Sequence, residues 1–297
     1  MNHLQKHLSA SLIALAALLT APVAAWAATA PALNSASGYA VLSVAPLDAN
    51  GVGTGAVTCT SSTINGNVGS NGPAASVTQT GCTIGTVTAP VSLGVVTDFT
   101  NAYNALEGQG CDTVLTTLPT TPLSPGVYCF NAALTVTGST LTLNGPSNGI
   151  WIFKIGTNGS GALTGTNFTV NMTGGGSACN VYWWVAQAAT MTTSLFQGNI
   201  LAGAAITTTG GTFAGRALAG ATVTMTGTSV IGCDAALPGS LSCVVTPPPK
   251  LSCDTNHQHH KHCKLHDYDP PHCDGNDDGH DDNQGSSSSF PWSIDKH

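Results

Sequence analysis

Between residues 188 and 232, apolar and hydroxyl-bearing positions alternate in a pattern that returns with a shift of 17 residues. The stretches 188–203, 205–220 and 222–232 superpose column by column. Phe196, Phe213 and Val230 share one column, and Gly198, Gly215 and Gly232 share another. Leu201-Ala202-Gly203 matches Leu218-Ala219-Gly220. Thr190, Thr207 and Thr224 form a further column, as do Thr192, Thr209 and Thr226. Two earlier segments fit the same template when longer loops are allowed. Tyr182-Trp183-Trp184-Val185 and Trp151-Ile152-Phe153-Lys154 occupy the strand before the Thr-x-Thr. Leu163-Thr164-Gly165-Thr166 precedes Phe168, and Leu134-Thr135-Val136-Thr137 follows the strand Val127–Phe130. The pattern therefore predicts five rungs, each a strand, a turn and a Thr-x-Thr strand.

A 17-residue repeat of this kind holds three short strands that wrap once around an axis, with the next coil stacked about 4.7–4.9 Å away. That architecture is a β-solenoid. Glycines recur where the backbone turns sharply. Side chains alternate across a strand, so two columns face the core: Leu134, Leu163, Ala189, Ile206, Val223, and Val136, Gly165, Met191, Thr208, Met225. The columns between them face outward: Thr135, Thr164, Thr190, Thr207, Thr224, and Thr137, Thr166, Thr192, Thr209, Thr226. These ten threonines form a flat grid, about 6.7 Å apart along a strand and about 4.7 Å between strands. One stretch departs from the β pattern. In Pro90–Glu107, Leu93, Val96, Phe99, Tyr103 and Leu106 follow helical spacing,. With Pro90 in a first turn and Gly108 at the end, this predicts one long amphipathic helix of four to five turns lying along the solenoid.

Composition narrows what such a scaffold can do. Residues 28–245 contain two basic side chains (Lys154, Arg216), five acidic ones (Asp48, Asp98, Glu107, Asp112, Asp234) and no histidine. There is no basic patch for nucleic-acid phosphates and no histidine for a general base or a Ser-His-Asp unit. The few carboxylates lie on separate segments, so the paired acids of a polysaccharide-cleaving solenoid are missing. The chain is read as a non-enzyme. In place of charge the body carries hydroxyls, with 36 threonines between residues 31 and 245.

The two ends differ from the body. Residues 1–27 combine Lys6, the apolar stretch Leu8–Leu19 and Ala25-Trp26-Ala27, which reads as an export signal with a small-x-small cleavage site,. Leu8–Leu19 is shorter than the ~20 apolar residues a membrane span needs, and no second such stretch follows. The ten cysteines suit an oxidising, extracellular setting,. Spacing suggests Cys59 with Cys82, Cys111 with Cys129, and Cys233 with Cys243 closing a short loop; Cys179 has no evident partner. Pro247-Pro248-Pro249 marks a stiff linker into a tail, 246–297, rich in His, Asp and Cys,. There His257, His259, His260, His262 and Cys263 offer imidazole and thiolate ligands suited to Zn²⁺, Cu or Ni²⁺. Asp274-Gly275-Asn276-Asp277-Asp278-Gly279 matches only the first half of a Ca²⁺ loop, because Gly285 stands at the twelfth position,. The alternative for this tail is a solvated, disordered acidic segment, or a contact to a cell surface or matrix.

Beyond the repeat, an ordered set of motifs resembles the bacterial and fungal ice-binding proteins (DUF3494 type) built on a discontinuous β-solenoid. They are Tyr39-Ala40-Val41-Leu42, Leu123-Ser124-Pro125-Gly126-Val127-Tyr128, Trp151 to Gly156, Ala178 to Trp183, Gly198 to Ala202 and Gly215 to Ala219. The resemblance runs from about residue 33 to 233. It implies a right-handed solenoid of triangular cross-section, a helix packed alongside, N-terminal coils joined out of sequence order, and a flat Thr/Ser/Ala-rich face that meets ice. The Thr grid is the expected ice-binding face. The competing reading is a secreted structural or adhesive solenoid, since Thr is also a good strand former.

Overall fold

The structure, a computed structural model, describes residues 28–233 together with 252–253 and 263–264. The expected export signal and nearly all of the tail lie outside the described residues. The chain divides into two compact units, Met1–Ala235 and Ala236–His297. In the second, the described residues form one antiparallel pair, Ser252–Cys253 with Cys263–Lys264, in which Cys253 lies opposite Cys263.

The first unit is a coil of short strands whose three sides form three parallel sheets. Sheet one contains, in spatial order, Val87–Thr88, Val68–Ser70, Val41–Ser43, Ala217–Ala219, Asn199–Ala202, Val181–Val185, Trp151–Ile155, Gly126–Phe130 and Thr113–Val114. Sheet two runs Leu134–Thr137, Leu163–Thr166, Ala189–Thr192, Ile206–Thr209, Val223–Thr226, Val57–Thr60, Val77–Thr80. Sheet three runs Thr140–Asn144, Thr169–Thr173, Leu195–Gln197, Thr212–Ala214, Ser229–Ile231, Thr63–Asn65, Thr83–Ile84. The five rungs expected from the repeat are present in the expected register, and two more are added to them.

The stacking is out of sequence order. Val41 pairs with Ala217, Val57 with Val223 and Ser229 with Thr63, so the first coil of the chain sits on the last. The chain coils outward from residue 41 to 88, returns to the far end, and climbs from 113 to 231 to meet its own start. The helix α1 (Leu93–Glu107) is that return. Val87–Thr88 and Thr113–Val114 are the two edges of the nine-stranded sheet, eight spacings or about 38 Å apart. Fifteen helical residues span about 22 Å, so the flanking segments cover the remainder.

The helix is shorter than Pro90–Glu107. It begins at Leu93 with Ser92 as N-cap in extended geometry, and Pro90 lies outside it. Val95, Phe99, Ala102 and Leu106 are its buried residues. Leu93, expected as an anchor, is 74% exposed. It lies two positions from Val95, about 200° around the helix, and so points away from the sheet. Phe99 and Leu106 are buried as expected, and Val96 and Tyr103 flank them, half-buried.

Two cores result. Inside the coil, rings stack on rings: Phe153 lies 4.1 Å from Trp183, and Phe196 5.2 Å from Phe213. Between sheet one and α1, a second cluster joins Leu42, Val127, Ile152, Tyr182, Trp184, Leu201 and Leu218 to the helix. The seven inner strands of sheet one are therefore buried on both faces, which accounts for their largely apolar runs,. The charged exception is Lys154, whose Nζ donates to the carbonyls of Glu107 and Gln109, 2.6 Å each. A cation at the helix C-terminus meets the negative end of the dipole. Burial pushes this ammonium below its ordinary pKa, and the Glu107 carboxylate offsets part of that shift.

Cys59–Cys82 and Cys111–Cys129 are joined as the spacing suggested. The third disulfide corrects the sequence reading: Cys179 is bonded to Cys233, with Cα atoms 5.6 Å apart. Both residues sit where sheet three hands over to sheet one, one before Val181–Val185 and one after Ser229–Ile231. The stacking of coils makes them neighbours across 54 residues.

Candidate functional site

The two outward columns of sheet two are threonine on every rung. One reads Thr135, Thr164, Thr190, Thr207, Thr224, Thr58, Thr78, and the other Thr137, Thr166, Thr192, Thr209, Thr226, Thr60, Thr80; each neighbour is paired in register. Two columns of seven give fourteen threonines, none of them buried. All ten expected positions are brought together. The other four were missed because their rungs join the lattice across more than 140 residues of sequence. A signal was present: Val57-Thr58-Cys59-Thr60 and Val77-Thr78-Gln79-Thr80 carry the same apolar-Thr-x-Thr spelling, but 20 residues apart rather than 17.

The residues between and before the threonines hold the lattice from below. Val57, Leu134, Leu163, Ala189, Ile206 and Val223 are buried, as are Val136, Met191, Met225 and Cys59. Gly165 is small at its position because a Cβ there would stand 2.7 Å from Met191 Sδ and 3.2 Å from Phe168 Cβ.

Each rung leaves the lattice through a turn that opens on a left-handed residue. The residue after the second threonine is left-handed in all seven: Ser61, Gly81, Gly138, Asn167, Thr193, Gly210 and Gly227, with φ between 48° and 64°. The strained case is Thr193, a β-branched residue in this region; its hydroxyl donates to Asn167 Oδ1 at 2.5 Å. One residue further on, a hydroxyl reaches back to the carbonyl of the second threonine on four rungs: Ser62 to Thr60, Ser139 to Thr137, Ser194 to Thr192, and Thr228 to Thr226, at 3.0–3.3 Å. Ser62, Ser194 and Thr228 are nearly fully buried. A repeated turn and a repeated tether keep the lattice edge straight.

Charge is segregated from this surface. Among the described residues of the first unit the charged side chains are Asp48, Asp98, Glu107, Asp112, Lys154 and Arg216, and none is on sheet two or sheet three. Asp98 and Glu107 belong to α1, and Asp112 follows it and accepts from Val127 N at 2.8 Å. Arg216 is buried against Ser37 O and Asn199 Oδ1. Hydrogen bonds from the Ser35 hydroxyl, the Ser35 amide and Asn34 hold the Asp98 carboxyl below its ordinary pKa.

Two clefts of the first unit are of similar size. One of about 750 Å³ lies where Thr116–Thr120 approaches Ala133–Thr140. The other, about 740 Å³, lies between the 45–53 loop and the start of α1. Neither is lined by an ionisable side chain. Among the described residues no three His, Cys, Asp or Glu side chains converge on a metal position, and no helix is long and apolar enough to cross a membrane. Of the five candidate metal ligands, His257, His259, His260 and His262 lie outside the described residues, and Cys263 is described only as a backbone partner of Cys253.

A parallel coil closed out of sequence order, with a return helix on one side and an uncharged hydroxyl lattice on another, defines a discontinuous β-solenoid. Residues 50–231 match the ice-binding-like family, and the chain belongs to it. Among solved structures it is similar to an ice-binding protein from an Antarctic biological consortium, at 29% identity and TM-score 0.56 over 69% of this chain and 92% of that one. An ice-binding protein from a bacterium of the Flavobacteriaceae shares 32% identity at TM-score 0.57, covering 75% of this chain and 51% of that one. One from the ascomycete Antarctomyces psychrotrophicus shares 27% identity at TM-score 0.57, over 68% and 98%. No curated protein matches the chain.

Proposed function

We propose that this is a secreted ice-binding protein that adsorbs to ice through the threonine lattice of sheet two and so restrains crystal growth or recrystallisation. The observation that carries the reading is the unbroken register: fourteen threonines in two columns over seven rungs, without a charged neighbour. Repeating hydroxyls at fixed spacing give a water layer recurring hydrogen-bond partners, and the γ-methyls confine water between them. Among the described residues of the first unit, charges, which would orient that water differently, lie off sheets two and three. The lattice is already ordered by its core and turns, so little conformational freedom is lost on adsorption. Once held on the crystal, the protein forces ice to advance as a curved front between bound molecules, which opposes growth. Three disulfides and an export-type N-terminus support a location outside the cell,. The family and the neighbouring structures support ice as the partner.

The test is thermal hysteresis in Thr207→Tyr and Thr209→Lys, at the centre of the lattice. Both are exposed or half-exposed strand positions, where substitutions change stability by about 0.5 kcal/mol or less. The expected outcome is loss of hysteresis with circular dichroism and melting unchanged. Unaltered hysteresis in both variants would rule out this face as the ice contact.

A further inference from the structure

Six of the ten cysteines are taken by the three disulfides of the first unit. The other four, Cys243, Cys253, Cys263 and Cys273, follow one another at ten-residue intervals. Four thiols admit three pairings: neighbours in sequence, crossed, or nested. One observation chooses among them. Ser252–Cys253 pairs antiparallel with Cys263–Lys264, and the register sets Cys253 directly opposite Cys263. Residues facing each other in an antiparallel pair have Cα atoms about 4.5–5.5 Å apart, inside the roughly 4.4–6.8 Å that a disulfide spans. Sequential and crossed pairings would each tie Cys253 to a cysteine other than the one it faces. The equal spacing then extends the match. Ten residues outward from the facing pair lie Cys243 on one side and Cys273 on the other. Between the inner and outer cysteines stand Pro247-Pro248-Pro249 on one arm and Pro270-Pro271 on the other, which have no N–H for a ladder,. The outer pair is therefore assigned by elimination, and the inner pair by register.

We propose that Cys253 and Cys263 are joined by a fourth disulfide, the inner bond of a nested set whose outer bond is Cys243–Cys273. The proposal rests on the extracellular location proposed above and not on ice as the partner. Formation is a thiol–disulfide exchange. One thiolate of the pair attacks a disulfide-bonded oxidant of the compartment, and the second thiolate displaces that sulfur from the mixed disulfide. Two protons and two electrons leave the cysteines, and the oxidant departs as a dithiol. The bond closes the nine residues from Asp254 to His262 into a covalent loop. It also removes Cys263 from the metal-ligating candidates of the tail, because the thiolate is the form that binds metal. An ion held by His257, His259, His260 and His262 would then meet imidazole nitrogen alone, which suits Cu²⁺, Ni²⁺ and Zn²⁺.

The experiment uses the full chain recovered from an oxidising compartment, alkylated without reduction, digested with trypsin and mapped by mass spectrometry. Cleavage after Lys250, Lys261 and Lys264 puts Cys253, Cys263 and Cys273 on three separate peptides, and Cys243 on a fourth that it shares with Cys233. The expected result is Leu251–Lys261 joined to His262–Lys264, and the peptide of Cys243 joined to that of Cys273. In Cys253→Ser one alkylatable thiol should appear, at Cys263, where the wild type has none. Cys253 joined to Cys243 or Cys273 would overturn the inner bond. So would alkylation of both Cys253 and Cys263 while the three bonds of the first unit are intact; one Zn²⁺ per chain in that material would assign the pair to a metal instead. An intact inner bond with Cys243 and Cys273 alkylated would overturn the outer bond alone. Alkylation of all ten cysteines would overturn the extracellular reading together with the proposal.

Discussion

Phe196→Ala should cost this protein heavily in stability and leave its outer surface as it was. Phe196 is 1% exposed. Its ring is stacked on Phe213 at 5.2 Å with 24° between planes, lies 5.2 Å from Trp183, and meets Phe168 edge-on at 6.2 Å. Removing it takes an inner member from a chain of rings that runs through successive coils. Large-to-small changes at such sites cost about 3–5 kcal/mol, because the strands cannot collapse into the space. For a domain of this size each kcal/mol lowers the melting temperature by roughly 2–4 °C, so the expected fall is about 6–20 °C. Against a total stability of about 5–15 kcal/mol, the variant should still be folded near the freezing point and retain its hysteresis there. Phe196→Leu, closer in volume, should cost less than about 1.5 kcal/mol. The assay is thermal melting by circular dichroism with disulfides intact. A fall under about 2 °C for Phe196→Ala, equivalent to less than 1 kcal/mol, would refute the claim that the stacked rings hold the coils together.

Two further outcomes follow from the cross-links and the charges. Cys233→Ser opens a disulfide that spans 54 residues; on loop-closure entropy it should lose up to about 4 kcal/mol, read as a lowered melting temperature that reducing agent does not lower further through this bond. Acid should act on stability and not on adsorption. Asp98 and Asp48 have carboxyls held below the ordinary value of 3.8 by hydrogen bonds, from Ser35 first in one case and from the Val52 amide first in the other. A depressed folded pKa gives stability that is present above 3.8 and lost as pH falls through the lower, folded value. Melting temperature should therefore drop only below that point, whereas hysteresis should be constant between about pH 5 and 8, because neither hydroxyl-bearing sheet contains a group that titrates there. A pH-dependent hysteresis in that window would contradict the placement of the contact.

Much of this was legible in the sequence, and most of what escaped it did so for one physical reason. Rungs that follow one another along the chain, from Leu134 to Thr226, announce themselves by self-comparison, and the period-two alternation sorts their threonines to the outside. Rungs that meet across the sequence do not. Val57 lies beside Val223 and Thr63 beside Ser229, and nothing local in either segment encodes that contact. The same blindness hid Cys179–Cys233, since a local loop to Cys243 looks better until the coils are stacked. Helix α1 was visible through Phe99 and Leu106, yet its start was misplaced. Pro90 is acceptable in a first turn, but Ser92 occupies the N-cap position, and the resulting phase buries Val95 and turns Leu93 outward. The segregation of charge could not be read before the fold, because Lys154 and Arg216 lie among the coil residues in sequence and become helix-side, buried groups only in space.

The most direct measurement is partition of the full chain into a growing ice hemisphere, alongside a non-binding protein of similar size. Adsorption through the lattice predicts that the chain is drawn into the ice phase while the control stays in the liquid. Equal exclusion of both from the ice would contradict it.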